Sequence, residues 1–195
     1  MNKYLLPMVA AVTFALPTAA SAQALPAAVV AVVDIQRATT SCNACKTALN
    51  QLEVQVNSLK ALQTSLENSL RTEATSIQTA VNALAGKQPD AALTARVQAF
   101  EKKQADSQRQ LQTREQTFQR NRAYVLQQIG QKLGPIYQQV MQRHSATVLL
   151  EQGNTLAASA SIDVTAEVTA ALNAALPSVQ TTAPAAPAQQ QPQSR

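Results

Sequence analysis

Cys42-Asn43-Ala44-Cys45 is the segment of this chain whose residue types and spacing could most directly carry chemistry. A Cys-x-x-Cys pair opening a helix, where the dipole lowers the thiol pKa, is the arrangement of a dithiol redox centre. The context does not support that reading. No strand-helix-strand unit surrounds the pair and no cis-Pro partner is evident. Lys46, not His, follows it, so the haem-attachment signature is absent. Two cysteines alone do not make a zinc site. The pair reads as structural: helical residues three apart can meet disulfide distance requirements, so a Cys42–Cys45 bond could staple the first helical turn. A redox protein remains an alternative reading of the chain, behind those that the rest of the sequence supports.

No acid-base couple stands out elsewhere. His144 is the only histidine and has no obvious carboxylate beside it in sequence, which places it on a surface. Glu67 and Glu73 lie among polar residues of a helix and read as a solvated face. No Gly-rich phosphate loop is present. The expectation is therefore a protein that is not an enzyme and uses no cofactor or metal.

Charge is the more informative chemistry. Three bases balance three acids from Lys46 to Glu73, whereas ten bases face four acids from Lys87 to Arg143. Arg96, Lys102, Lys103, Arg109, Arg114, Arg120 and Arg122 form the centre of this stripe and are the candidate ligand-binding residues. Such a stripe binds nucleic acid, acidic lipid or acidic polypeptide. For any single residue the plainer alternative is a solvated coiled-coil position, some of them paired across to Glu53, Glu67 or Glu73.

The elements that position these residues start behind an export label. Lys3, the apolar run Leu5 to Leu16 and the small-x-small site Ala20-Ser21-Ala22 predict a signal peptide over 1–22. The run is too short to span a bilayer, which takes about 20 residues, so no stable membrane insertion is expected. Export makes nucleic acid an improbable partner. Aromatics are 3% of the chain, Trp is absent and there are only 4 Gly, a mix that favours long helices over a thick core.

A linker and a buried strand, Val29 to Asp34, occupy 23–40. Thr39-Thr40-Ser41 supplies N-cap side chains for a long helix. Its seam is Leu49, Leu52, Val56, Leu59, Leu66, Leu70, Ile77 and Leu84. Residues 86–90, Gly-Lys-Gln-Pro-Asp, break it, and a second helix returns with Leu93, Val97, Phe100, Ser107, Leu111, Phe118 and Val125. Its seam then shifts phase to Leu126, Ile129, Leu133, Ile136 and Val140. Folding about Lys87/Gln88 sets Cys42 opposite Leu133, where Gly134-Pro135 interrupts the return helix. The whole of 41–134 is thus an antiparallel helical hairpin with its tip at 86–90.

Residues 135–176 complete a body: the helix end, a β-hairpin of 146–150 and 155–158 around Gly153, and a last helix capped by Asp163 that buries Val164, Val168, Leu172 and Leu176. So small a sheet is marginal alone, so Val30, Val32, Val148 and Leu150 are the candidate oligomer interface. The tail, 177–195, is Pro/Ala/Gln-rich and reads as disordered.

The order of these pieces carries a resemblance. Val32 to Ile35, then a long helical hairpin, then Val148-Leu149-Leu150-Glu151, Ile162-Asp163-Val164-Thr165 and Leu172-Asn173 resemble the Skp/OmpH family of periplasmic chaperones. The likeness spans roughly Val29 to Leu176. It implies an α+β fold with a coiled-coil tentacle on a small β body, assembled as a jellyfish-like homotrimer. It also implies ATP-independent holding of unfolded outer-membrane β-barrel proteins in the cavity between tentacles, with lipopolysaccharide as a further ligand in some members. The alternative is a structural coiled-coil protein that spaces or links envelope layers.

Overall fold

The computed structural model describes residues 26–185; the expected signal peptide, 1–22, and the tail beyond residue 185 lie outside the described residues. The first strand, β1 (Val30–Val33), is almost wholly β-branched and mostly buried, as suits a pleated interior surface. Asp34 ends it and caps α1 (Ile35–Ser41), its carboxylate accepting from the Arg37 N–H at 2.8 Å. Thr39, Thr40 and Ser41 are therefore not the N-cap expected of them. They lie in the last turns of α1, and the Thr39 and Thr40 hydroxyls donate back to the Ile35 and Gln36 carbonyls. A hydroxyl residue caps a helix only where no earlier residue has opened it.

Cys42 is extended (φ −69°, ψ 126°) and separates α1 from α2 (Asn43–Ala83), a helix of 41 residues. The tip follows, with Ala85 at φ 46° and Gly86 at φ 86°. Gly86 tolerates this left-handed geometry freely, while Ala85 accepts a cost of about 1–2 kcal/mol. Asp90 then caps α3 (Ala91–Arg143), accepting from the Leu93 N–H at 2.7 Å. At about 1.5 Å per residue its 53 residues make a rod about 80 Å long. α3 continues through Gly134-Pro135 as one helix, so the hairpin arm does not end there. Pro135 and Gln131 are both exposed, and the carbonyl that Pro cannot satisfy can be met by solvent.

The arms interlock as an antiparallel pair, but the seam differs at both roots from the predicted one. Leu49 is exposed and Ala48 takes the buried position, and Leu126 is exposed beside a fully buried Val125. The seam of α3 runs Val125, Ile129, Leu133, Ile136, Val140 with no step through Leu126, a continuous 3-4 spacing.

The return to the body forms β2 (Val148–Glu151), parallel to β1 in the register Val30↔Val148 and Val32↔Leu150. The expected β-hairpin is absent. Residues 152–154 form a single 3-10 turn, and 155–158 are not a strand. Leu156 is the only large apolar residue there and is fully exposed (109%), so that segment has no apolar face to bury against a sheet. β1 instead gains a bridge to Asp163, with the Val164 N–H donating to the Val32 carbonyl at 2.9 Å.

The last helix, α4 (Thr165–Ala175), closes the body and buries Val164, Val168, Leu172 and Leu176. The Asp163 carboxylate accepts from the Thr165 N–H at 2.8 Å. Ala31 and Val33 from β1, Ala38, Cys42, Cys45 and Leu52, and the α3 residues from Val125 to Val140 form one cluster with α4. That cluster is the core. Residues 177–185, the first part of the expected tail, lie as a strap over the roots of α2 and α3.

Candidate functional site

Cys42 and Cys45 are joined in a disulfide with Cα atoms 5.2 Å apart. It sits at the break between α1 and α2, and both residues are 0% exposed. The Cys45 N–H donates to the Cys42 Sγ at 3.3 Å, and the Asn43 N–H donates to Asn173 Oδ1 of α4 at 2.8 Å. Two of the N–H groups that a helix start leaves unsatisfied are thereby met. Dithiol exchange requires an accessible sulfur, and neither is accessible. The pair lies where the arm leaves the body.

The seven candidate cations do not act alike. On α3, Arg96 reaches across the hairpin to Glu73 at 2.8 Å and to the Ser76 hydroxyl at 2.6 Å. Lys103 donates to the Ser69 hydroxyl at 2.7 Å. Lys102 pairs with Asp106 at 2.7 Å, and Arg109 pairs with the same carboxylate. Hydrogen bonds from Lys102 and then Arg109 hold the Asp106 carboxyl below its usual range. Four of the seven are therefore tied to the arm itself. Arg114, Arg120 and Arg122 are exposed and have no ion pair among the described residues. Of the seven, these three alone have no partner in the arm.

His144 meets a carboxylate after all, that of Glu167 on α4, at 2.6 Å, and Arg143 joins the other oxygen at 2.8 Å. These contacts dock the end of α3 on α4. Arg37 reaches Asp163 at 2.6 Å. The hydrogen bonds of Asp163 to Thr165, and then Arg37, hold its carboxyl below the usual range. Burial pushes the Tyr137 phenol up, and the charge of Glu151 adds to it.

The four sheet residues also divide. The parallel register sets Val30, Val32, Val148 and Leu150 on one face, and Ala31, Val33 and Leu149 on the face that packs on the core. Val32 is only 2% exposed within the single chain, whereas Leu150 is 41% exposed and Val148 is exposed with it. Among the described residues β2 has β1 on one side and no strand on the other.

One polar cluster escaped the sequence reading. Asn121 is buried between the arms and donates to Gln55 Oε1 at 2.9 Å. Its own Oδ1 accepts from the Ala183 N–H of the strap at 2.9 Å. Gln55 Nε2 donates to the Thr181 carbonyl at 3.2 Å, and Gln51 accepts from the Thr181 hydroxyl at 2.6 Å. Gln128 grips Gln180 twice, donating to its carbonyl at 2.8 Å and accepting from its N–H at 3.0 Å. The available signal was Asn121 itself, a polar residue in the apolar phase three positions after Phe118 and four before Val125. Beyond the strap the inter-arm groove continues towards the tip as a cavity of about 460 Å³ lined by Val54, Ser58, Leu62, Gln110 and Arg114.

No helix among the described residues is long and apolar enough to cross a membrane, and no cluster of three or more potential metal ligands occurs among them. In comparison with known proteins, residues 29–172 match the model of the family described as outer membrane protein (OmpH-like). A crystal structure of a candidate outer membrane chaperone (OmpH-like) from Caulobacter crescentus superposes with a TM-score of 0.64 at 24% identity, over 80% of this chain and 90% of that one. That structural likeness shows the shared fold. None of the curated proteins compared with the chain matches it. The family match covers strand, hairpin, second strand and most of α4, and the chain belongs to the OmpH-like outer membrane protein family.

Proposed function

We propose that this protein is an ATP-independent periplasmic holdase that captures unfolded outer-membrane β-barrel proteins in a cavity between the tentacles of a homotrimer. The observation that carries this reading is the arm. α2 and α3 extend far beyond the body core, their seam there is only half buried, and Arg114, Arg120 and Arg122 are unpaired among the described residues. An unfolded β-barrel protein alternates apolar and polar residues and exposes strand edges, so it aggregates readily. A polar wall with a positive field retains such a chain through many weak contacts and lets it go without ATP. The chaperone named in the Caulobacter structure supports the general role.

Trimerisation rests on the body. β2 offers an unpaired edge with Val148 and Leu150 exposed on one face, and such an edge is a template for pairing with another chain. The phosphates of lipopolysaccharide would bind the same three arginines.

The test is dilution of a urea-unfolded outer-membrane β-barrel protein into buffer with and without the mature protein, followed by light scattering. Suppressed scattering at stoichiometric trimer is the expected result. Unchanged scattering at every salt concentration returns the protein to the role of a structural spacer between envelope layers.

A further inference from the structure

We propose that the groove between the roots of α2 and α3 is a binding site for extended polypeptide main chain, and that strap residues 179–183 are its built-in occupant. Four main-chain groups of the strap are read by three amide side chains. Gln128 takes the Gln180 N–H and carbonyl together, Gln55 takes the Thr181 carbonyl, and Asn121 takes the Ala183 N–H. Only the Thr181 hydroxyl, held by Gln51, is read as a side chain by this set of amides. The paired donor and acceptor of a Gln amide reproduce what a neighbouring β-strand would offer. Asn121 is turned into this role by its bond to Gln55, which aims one amide oxygen and one amide nitrogen at the strap.

A site that reads main chain is indifferent to most of the sequence it holds. Val179 alone packs against the body core as an apolar anchor, and the groove runs on past Thr182 to Leu62 and Arg114. Room therefore remains for a segment longer than the resident one. Any extended segment able to place one apolar side chain at the anchor competes with the strap. That the competitor is an unfolded outer-membrane protein rests on the holdase reading; that the groove takes main chain does not.

The strap can be loosened without touching the groove. Gln180→Pro with Ala183→Pro in the full chain removes both strap N–H donors. A fluorescent synthetic peptide with the sequence of residues 177–185 is the probe. It should bind this variant at least tenfold more tightly than wild type, whose tethered strap competes at an effective concentration of about millimolar. Adding Gln128→Ala should abolish the gain, and so should N-methylation of the peptide at its Gln180 and Ala183 equivalents. Equal binding to wild type and loosened variant, or binding indifferent to N-methylation, overturns the proposal.

Amide hydrogen exchange at Gln180 and Ala183 of the wild-type protein, with and without an unfolded β-barrel protein, gives a measurement that needs no variant. Faster exchange on adding that chain supports displacement of the strap. Unchanged exchange while the client is demonstrably held overturns displacement. A client never held at all removes the holdase reading, and the peptide experiment then decides the groove by itself.

Discussion

The root and the outer arm are built from the same two helices, yet they have different jobs. At the root, α1, α4 and β1 close over the hairpin, and Val33, Cys42, Cys45, Val125, Val140, Val168 and Leu172 are almost completely buried. Farther out, α2 and α3 have only each other. Leu59, Leu66, Leu70, Ile77, Phe100 and Leu111 are half buried, and Ser107 is the only residue past Asn121 towards the tip that is buried. Two helices cannot enclose a seam that needs a third layer. The difference teaches that the fold is held at one end and that the other end is nearly all surface.

Leucine truncation should separate the two regions most strongly. Leu172→Ala removes a side chain from the closed core and should cost about 2–5 kcal/mol. Leu66→Ala on the arm removes one already half wetted and should cost about 1 kcal/mol. Urea unfolding followed by circular dichroism measures both. Equal costs would mean that the arm is covered by something in solution, and the contrast drawn here would fail.

Removing the staple tests how firmly the two regions are joined. Cys42→Ser with Cys45→Ser should lower stability by about 2 kcal/mol while leaving protection of an unfolded client largely intact. Loss of protection with the oligomer preserved would show that the angle between arm and body is part of the activity.

The sheet sharpens the comparison from the body side. Leu150→Asp should dissociate the proposed trimer with the protomer still folded, because Leu150 is exposed in the single chain. Val32→Asp should instead unfold the protomer, because Val32 is already buried and an unpaired buried charge costs several kcal/mol. Light scattering and circular dichroism on both variants check it, and an unchanged mass for Leu150→Asp would move the interface elsewhere.

On the arm, Arg114→Gln, Arg120→Gln and Arg122→Gln together should leave helicity unchanged, since Gln is a good helix former. Capture of an unfolded β-barrel protein should slow several-fold at low salt and lose most of its salt dependence, because screening already shortens the reach of charge to about 10 Å at 0.1 M. Stopped-flow binding at two ionic strengths measures this. An unaltered salt dependence would return the role to the four cations held within the arm.

The smallest effect is a pH effect at the body. The Asp163 carboxyl titrates below its unfolded value, so its contribution is complete above about pH 4 and is lost as pH falls through the depressed folded value. Asp163→Asn should flatten the acid limb of the melting curve slightly and leave the neutral region displaced by less than about 1 kcal/mol.

Much of this was legible in the chain. The arms were visible because apolar residues recur at 3-4 spacing over an uninterrupted stretch, and the tip because Gly86 and Pro89-Asp90 punctuate it. Thr39-Thr40-Ser41, the 155–158 strand and the phase step to Leu126 are each readings of a few local residues that leave out what competes with them: an earlier cap at Asp34, a parallel strand partner in β1, and the packing of Val125 in the core. β2 found β1 rather than its sequence neighbour, and Asp34 opened the helix before the threonines could.

The sequence by itself therefore determined what depends on local periodicity and composition: two long amphipathic helices, a sharp tip, a strand of β-branched residues and an excess of positive charge on the returning arm. Only the tertiary structure decided which cations remain unpaired, because Glu73 and Ser69 reach Arg96 and Lys103 solely through the register of the hairpin. It also decided that residues 177–185 are a strap. Their composition offers no core of its own, and their placement comes from amides on two other helices that satisfy their main chain.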